Sequence, residues 1–439
     1  MKIENQHFQS CSHKLMQVLR SASTTTYYKT IFKEIGINVN DDISYDDFMR
    51  IPIIDKSIYK TNSFDLISPV RIQLFDKKLL KKMRTLEEKD NYLSQMGLMM
   101  KITSGSTGQP LEVIKSKLDN KRDYLHLNQY RRKISGYNFR GKYIWVWPVN
   151  PLMLKYMGDN QTSNYIKKDD FGYMYFLYEY SEKNIFDLYN VIIENNCEWI
   201  TASPTVITKL SCFIEKNNLK TPLFAYIECH SEKLHAWQIE IIKRVFHINP
   251  VSIYSSNEVQ FIGATCEENH MHAFESSCFI EFINFTGLTK EIVVTSLNYL
   301  DIPMIRYKLG DCGDWICDQI QCKLHSNPIF ELKGFRTNDF ILTKNNTKME
   351  PFIITDSIYL LSKNSSVNLH DYHVKQTAYD CFEYYFSEYD LSRMTVDSKI
   401  FLEKYLCELL RYPITVNILH LKNYGISVNK HKYFEVSFT

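Results

Sequence analysis

Between Tyr143 and Tyr254 the chain alternates short apolar runs with longer segments of helical spacing. Tyr143-Ile144-Trp145-Val146-Trp147, Trp199-Ile200-Thr201-Ala202, Leu223-Phe224-Ala225-Tyr226-Ile227 and Val251-Ser252-Ile253-Tyr254 are too short for buried helices, and they predict strands. Residues 184–195 and 232–246 repeat their apolar positions at helical intervals. Strands alternating with helices predict an α/β fold with a mainly parallel sheet covered by helices. The first hundred residues read as mostly helical. Thr24-Thr25-Thr26 caps a helix that Gly36 ends, and Ser44 opens a short one that Pro52 stops. A polar amphipathic helix is expected from Lys117 to Ser135.

From about Cys278 the period changes. Residues 279–283, 291–295 and 315–317 are short β segments with turns between them, as in a meander or small β-barrel. After Phe335-Arg336-Thr337-Asn338-Asp339 the pattern becomes α+β, with strands at 374–376 and 414–419 and a helix at 398–411. The expected division is a large N-terminal domain, 1–335, and a small mobile C-terminal domain, 336–439.

Composition narrows the function classes. At 439 residues and 44% hydrophobic, the chain has ample material for more than one core. Its 52 basic and 50 acidic residues nearly cancel, which argues against a nucleic-acid footprint or electrostatic membrane binding. The start has no apolar signal core, and no run reaches transmembrane length. The eleven cysteines therefore read as reduced thiols in the cytoplasm.

The chemistry concentrates in Thr103-Ser104-Gly105-Ser106-Thr107-Gly108-Gln109-Pro110. Gly105 and Gly108 let the backbone approach a ligand closely, and the hydroxyls and amides between them can surround an anion. The Gly-Lys-Ser/Thr ending of a Walker A loop is missing, so this is a lysine-free phosphate clamp or, taken alone, a Ser/Gly-rich surface turn.

Three further segments follow in order: Tyr254-Ser255-Ser256-Asn257-Glu258, Pro303-Met304-Ile305-Arg306-Tyr307-Lys308-Leu309-Gly310-Asp311, and 335–339. With the hydroxyl loop and Ile51-Pro52-Ile53-Ile54-Asp55-Lys56, they make the chain resemble the adenylate-forming (acyl-CoA synthetase) superfamily. Within it the likeness is to the phenylacetate–CoA ligase and capsule-biosynthesis branch. That resemblance implies an AMP-forming ligase: ATP converts a small carboxylic acid to acyl-AMP, and coenzyme A takes the acyl group. An amine or hydroxyl acceptor is the alternative, as is a catalytically impaired adenylate-binding protein. It implies that Ser104, Gly105, Ser106, Thr107 and Gly108 hold the β- and γ-phosphates. Tyr254, with Ser255 and Asn257 beside it, would stack on adenine, Glu258 would hold Mg²⁺, and Asp311 would accept the ribose hydroxyls. Arg306 and Arg336 would stabilise phosphate or fix that carboxylate. A C-terminal lysine would neutralise the adenylation transition state, here Lys432 with Lys430 second, and the small domain would rotate about Asn338.

The branch shows glycine where Ser255 and Phe335 stand here, and it pairs its C-terminal lysine with a glycine that this chain lacks. By position in the resemblance, the acid pocket lies among Trp147, Ser203-Pro204-Thr205, residues 226–232 and the segment after Ser256, with His230 a candidate to orient the carboxylate. Cys266-x5-His272 and Cys322-x2-His325 offer the donors of a tetrahedral Cys₂His₂ zinc site, with His270, Cys278, Cys312 or Cys317 as substitutes. Reduced core cysteines and surface histidines fit the same residues.

Overall fold

The computed structural model describes residues 2–103, 111–148, 163–178, 180–284, 290–317, 320–336, 340–345, 347–349, 352–365, 372–421 and 434–438. Two compact units emerge: Met1–Leu309 with Gly313–Glu331, and Gly310–Cys312 with Leu332–Thr439.

The first unit is built around strands whose sequences are apolar on both faces. Trp199–Ala202 is buried at every position and pairs in parallel with Tyr143–Pro148 on one side and Tyr226–Cys229 on the other. Strands buried on two faces need covering helices. Glu182–Glu194 supplies one, burying Ile185, Leu188, Tyr189 and Ile192 along a single stripe. Pro204–Lys216 supplies another, started by the Ser203 hydroxyl, which accepts from the Val206 amide, and by Pro204 in its first turn. Ile144, Val146, Ile200 and Ile227 fill the space between strands and helices.

Val251–Ser256 closes the parallel set and turns back antiparallel into Gln260–Thr265. Through that turn the antiparallel strands expected after Cys278 are continuous with the parallel ones. Twelve strands share one sheet, running from Cys278–Asn284 at one edge to Tyr165–Lys168 at the other.

The second unit has a four-stranded sheet ordered Thr415–His420, Cys381–Phe386, Tyr372–Ala378, Phe434–Val436. Its core contains Val374, Phe382, Tyr384, Leu402 and Leu406. Among the described residues, no helix is long and apolar enough to cross a membrane.

Local signals placed several boundaries. Thr25 caps Thr26–Ile35, and Gly36 ends it in the left-handed region at φ 69°. Lys117–Ser135 lies between the capping Ser116 and Gly136 (φ 73°). The strand expected at 223–227 instead runs Tyr226–Cys229: Leu223 is 86% exposed, Ala225 is exposed, and continuous burial begins at Tyr226. The following helix starts at Ala236 rather than near Glu232.

One buried ion pair fixes Lys117–Ser135 to the sheet. Arg131 donates from Nε and Nη2 to both carboxylate oxygens of Glu228, at 2.7 and 2.6 Å. Thr201 and Tyr226 donate their hydroxyls to the same carboxylate. Burial alone would push the Glu228 carboxyl up, but the Arg131 guanidinium outweighs it and the group sits below its ordinary value.

Arg131→Met leaves that carboxylate buried without its cation and costs about 3–5 kcal/mol at neutral pH. In the wild type the contribution of Glu228 is intact above the ordinary glutamate value, about 4.3, and is lost as pH falls below it. In the variant the unpaired carboxyl titrates higher, so the deficit narrows in acid. Urea unfolding of both proteins near pH 7.5 and near pH 5 checks this, and equal midpoints at the higher pH would refute it.

Candidate functional site

The hydroxyl-rich stretch is carried by an antiparallel hairpin, Leu98–Thr103 with Leu111–Ser116. Thr103 pairs with Leu111, so the two ends of the stretch meet at one end of the hairpin. Residues 104–110, with Ser104, Gly105, Ser106, Thr107 and Gly108, lie outside the described residues.

A hydrogen bond joins this hairpin to the second candidate segment. Asn257 Nδ2 donates to the Ile102 carbonyl at 2.5 Å across 155 positions of sequence. Asn257, Glu258 and Val259 form the turn after Val251–Ser256, closed by the pairing of Ser256 with Gln260. Glu258 is half-buried at the turn's centre, and the Tyr307 hydroxyl donates to its carboxylate at 3.3 Å. Burial and the neighbouring Glu258 charge both push that phenol up.

Tyr254 is half-buried, its ring 6.1 Å from that of Phe330 and tilted by 59°. Ser255 is exposed, and a bulge falls between it and Tyr254. Its φ is not among the positive ones, so serine replaces the branch's glycine here without left-handed strain.

Arg306 is not brought into this group. Only 4% exposed, it donates from Nη2 and Nε to Glu281 at 2.9 and 3.2 Å, and from Nη1 to the carbonyls of Met49 and Ile51. Its donors are spent inside the first unit, which corrects the expectation that it faces a phosphate. Asp311 is half-buried and belongs to the second unit with Gly310 and Cys312. Arg336 ends the strand Ile329–Arg336, and its side chain lies outside the described residues, as do Asn338, Lys430 and Lys432.

Toward the expected acid pocket, His230 Nδ1 lies 2.8 Å from the Ser231 hydroxyl. Its ring meets Trp145 edge-on at 6.1 Å, and Trp145 stacks on Trp147 at 5.4 Å.

The structure gathers three of the four residues expected to bind zinc. The ligand atoms of Cys266, His272 and Cys322 all lie within 4.8 Å of one another. Cys322 Sγ is 3.3 Å from His272 Nε2, close to the ligand separation of about 3.5 Å in a tetrahedron with ordinary Zn–S and Zn–N bonds. His272 Nδ1 faces the Asn327 carbonyl at 3.0 Å, an orientation that leaves Nε2 directed at the thiols. His325 does not join them: it is exposed, with Nδ1 2.9 Å from the Cys322 carbonyl. His270 closes the turn from Cys266, and its Nδ1 is buried without a hydrogen bond among the described residues.

Sequence reasoning missed the polar cluster beside Glu258. Lys115, Asp119, Tyr299 and Glu258 line one small cleft of about 10 Å³. A lysine inside an apolar strand was the available signal.

No protein-family model matches the sequence, and no curated protein matches it. Solved structures do. One is 2-hydroxyisobutyryl-CoA ligase in the postadenylation state in complex with R3-HIB-AMP, at TM-score 0.67 and 13% identity, covering 97% of this chain and 89% of that one. The same ligase with 2-HIB-AMP and CoA in the thioesterification state gives 0.52 at 13% identity, covering 98% and 90%. Fatty acyl-adenylate ligases from E. coli and L. pneumophila give 0.50 at 11% identity, covering 75% and 67%. The chain has the fold of the adenylate-forming ligases.

Proposed function

We propose that this chain is an ATP-dependent, AMP-forming ligase that activates a small carboxylic acid and passes the acyl group to coenzyme A. The observation that carries the proposal is the hydrogen bond from Asn257 to the Ile102 carbonyl. It holds the glutamate-bearing turn against the hairpin that carries the hydroxyl loop, within a fold shared with ligases solved as acyl-AMP complexes. In this reading Ser104, Ser106, Thr107 and the amides of Gly105 and Gly108 grip the β- and γ-phosphates. Tyr254 stacks on adenine and Asp311 accepts the ribose hydroxyls.

Glu258 offers a hard oxygen ligand to Mg²⁺, which when bound neutralises phosphate charge. Negative charge gathers where the carboxylate oxygen meets the α-phosphorus, and a cation fixed there lowers the barrier most. Lys432 is assigned that place, with Arg336 on the phosphates. Arg306 carries no role in the chemistry. The small domain, 336–439, is proposed to turn about Asn338 so that the thiol of CoA can attack the acyl-AMP carbonyl. The thioesterification complex of the ligase with the same fold supports CoA as the acceptor.

Cys266, His272 and Cys322 are proposed to hold a structural zinc, with His270 the fourth ligand in place of His325. None of the eleven cysteines, all within the described residues, forms a disulfide, which supports a reducing compartment such as the cytoplasm.

Acid-dependent ATP–pyrophosphate exchange across a panel of carboxylic acids tests the first half-reaction. At least one acid is expected to support it, and Lys432→Ala is expected to lower it by about 10²-fold or more while ATP binding survives. Full exchange in that variant removes Lys432 from the mechanism, and no exchange with any acid removes the ligase reading. Thioester formation on adding CoA, against amide or ester formation with amines and alcohols, identifies the acceptor.

Elemental analysis of the purified protein is expected to give about one zinc per chain. Loss of that metal together with a lower melting temperature in Cys322→Ser would place it at the triad. Metal-free protein that folds normally would dispose of the site.

A further inference from the structure

The cleft beside Glu258 contains a buried lysine, its Nζ 4.7 Å from the centre of the Tyr299 ring. Lys115 sits on the strand Leu111–Ser116 next to the apolar Val113 and Ile114, and it is 2% exposed. A buried ammonium is expensive unless it is paired, and an apolar side chain at such a position is as good for stability or better. Lys115 nevertheless makes no described ion pair. Its Nζ donates to Gln260 Oε1 at 2.9 Å and to the Tyr299 hydroxyl at 2.5 Å, both neutral. The balancing carboxylate is the buried Asp123, which accepts from Asn298 Nδ2 at 2.9 Å. Burial lowers the ammonium against the pull of Asp123.

Gln260 is the second unusual feature. It closes the turn carrying Glu258 with φ 67°, a left-handed conformation that in three-residue hairpin turns favours glycine. A glutamine there carries backbone strain of about 1 kcal/mol or more. What it supplies in exchange is a side chain, and that side chain is 7% exposed and held by Lys115. The turn is therefore fastened to both strands of the hydroxyl hairpin: Asn257 to Ile102 on one, Gln260 to Lys115 on the other.

We infer that Lys115 is a positioning residue for Glu258: through Gln260 it sets the turn that presents this carboxylate to the divalent cation of the bound nucleotide. The inference rests on the assignment of Glu258 as the magnesium carboxylate. Lys115 touches neither nucleotide nor acid, and its effect passes through the Gln260 bond.

The test uses the full chain, the Mg²⁺ dependence of pyrophosphate exchange, and the variants Lys115→Met and Gln260→Met. Each keeps side-chain bulk and breaks the same hydrogen bond from opposite ends. Gln260→Met leaves the lysine and its bond to Tyr299 in place, so it reports even where Lys115→Met fails to fold. Each variant is expected to raise the Mg²⁺ concentration for half-maximal exchange by about tenfold, with the KM for the acid within about twofold of wild type. The double variant is expected to be no worse than the worse single one, as for two residues acting through one contact.

A merely structural role would lower the melting temperature and the active fraction while leaving the Mg²⁺ requirement unchanged, and that result overturns the inference. So does an equal rise in the KM for the acid. Glu258→Gln separates the two levels. If it raises the Mg²⁺ requirement while both methionine variants behave as wild type, this inference alone fails. If it leaves the requirement unchanged, the Glu258 assignment fails and takes this inference with it.

Discussion

A two-stranded ribbon has only one partnered edge per strand, and by itself it is marginal in water. The hairpin Leu98–Thr103/Leu111–Ser116 forms such a two-stranded sheet, separate from the twelve-stranded one. Its apolar side chains give it a foundation: Leu98, Met100, Ile102 and Ile114 pack with Ile67, Leu80 and Leu93. Packing of that kind fixes the depth of a hairpin better than its position along the sheet. Directional contacts supply the rest, and the Asn257 amide on the Ile102 carbonyl is one of them. A one-residue slip of Leu98–Thr103 would cost this bond and turn Leu98, Met100 and Ile102 to the opposite face. Every role proposed for residues 104–110 depends on that registration.

Local physics made much of the framework readable. Ser116 and Gly136 bound a helix that the pattern already placed at Lys117–Ser135, because a cap and a left-handed terminator are local events. The parallel strands at Tyr143–Pro148 and Trp199–Ala202 announced themselves as apolar runs: the second is buried at every position, and the first buries Ile144 and Val146 with half-buried aromatic residues between and beside them. Non-local pairing is what the sequence could not display. Arg306 stands in a motif where an arginine invites a phosphate, yet its partner is Glu281, 25 positions earlier on the strand Cys278–Asn284. The Cys/His cluster was half legible. Spacing nominated Cys266, His272 and Cys322, which the structure gathers, and His325, which it leaves exposed, because the gathering depends on how distant turns fold together.

The buried charges of the first unit fall into two kinds. Arg131–Glu228 and Arg306–Glu281 are direct pairs in which the guanidinium fork meets a carboxylate and the remaining donors find oxygens. Such pairs are closed: adding a ligand to them would break a bond already made. They lock elements together, Lys117–Ser135 to the central sheet and, through Arg306, Met49–Ile51 to the strand Cys278–Asn284.

Lys115 is of the other kind. An arginine there would seek a carboxylate, whereas the single-point charge of a lysine settles for a glutamine oxygen and a phenol. Neutral partners leave Lys115 holding the Gln260 oxygen, and through it the turn that bears Glu258. A stability-optimised core removes such a group, and local rules tend to be broken at sites of function. The contrast between two satisfied guanidinium pairs and one loosely partnered ammonium, within the same unit, therefore points to the turn bearing Glu258 as the part of this fold shaped by something other than folding.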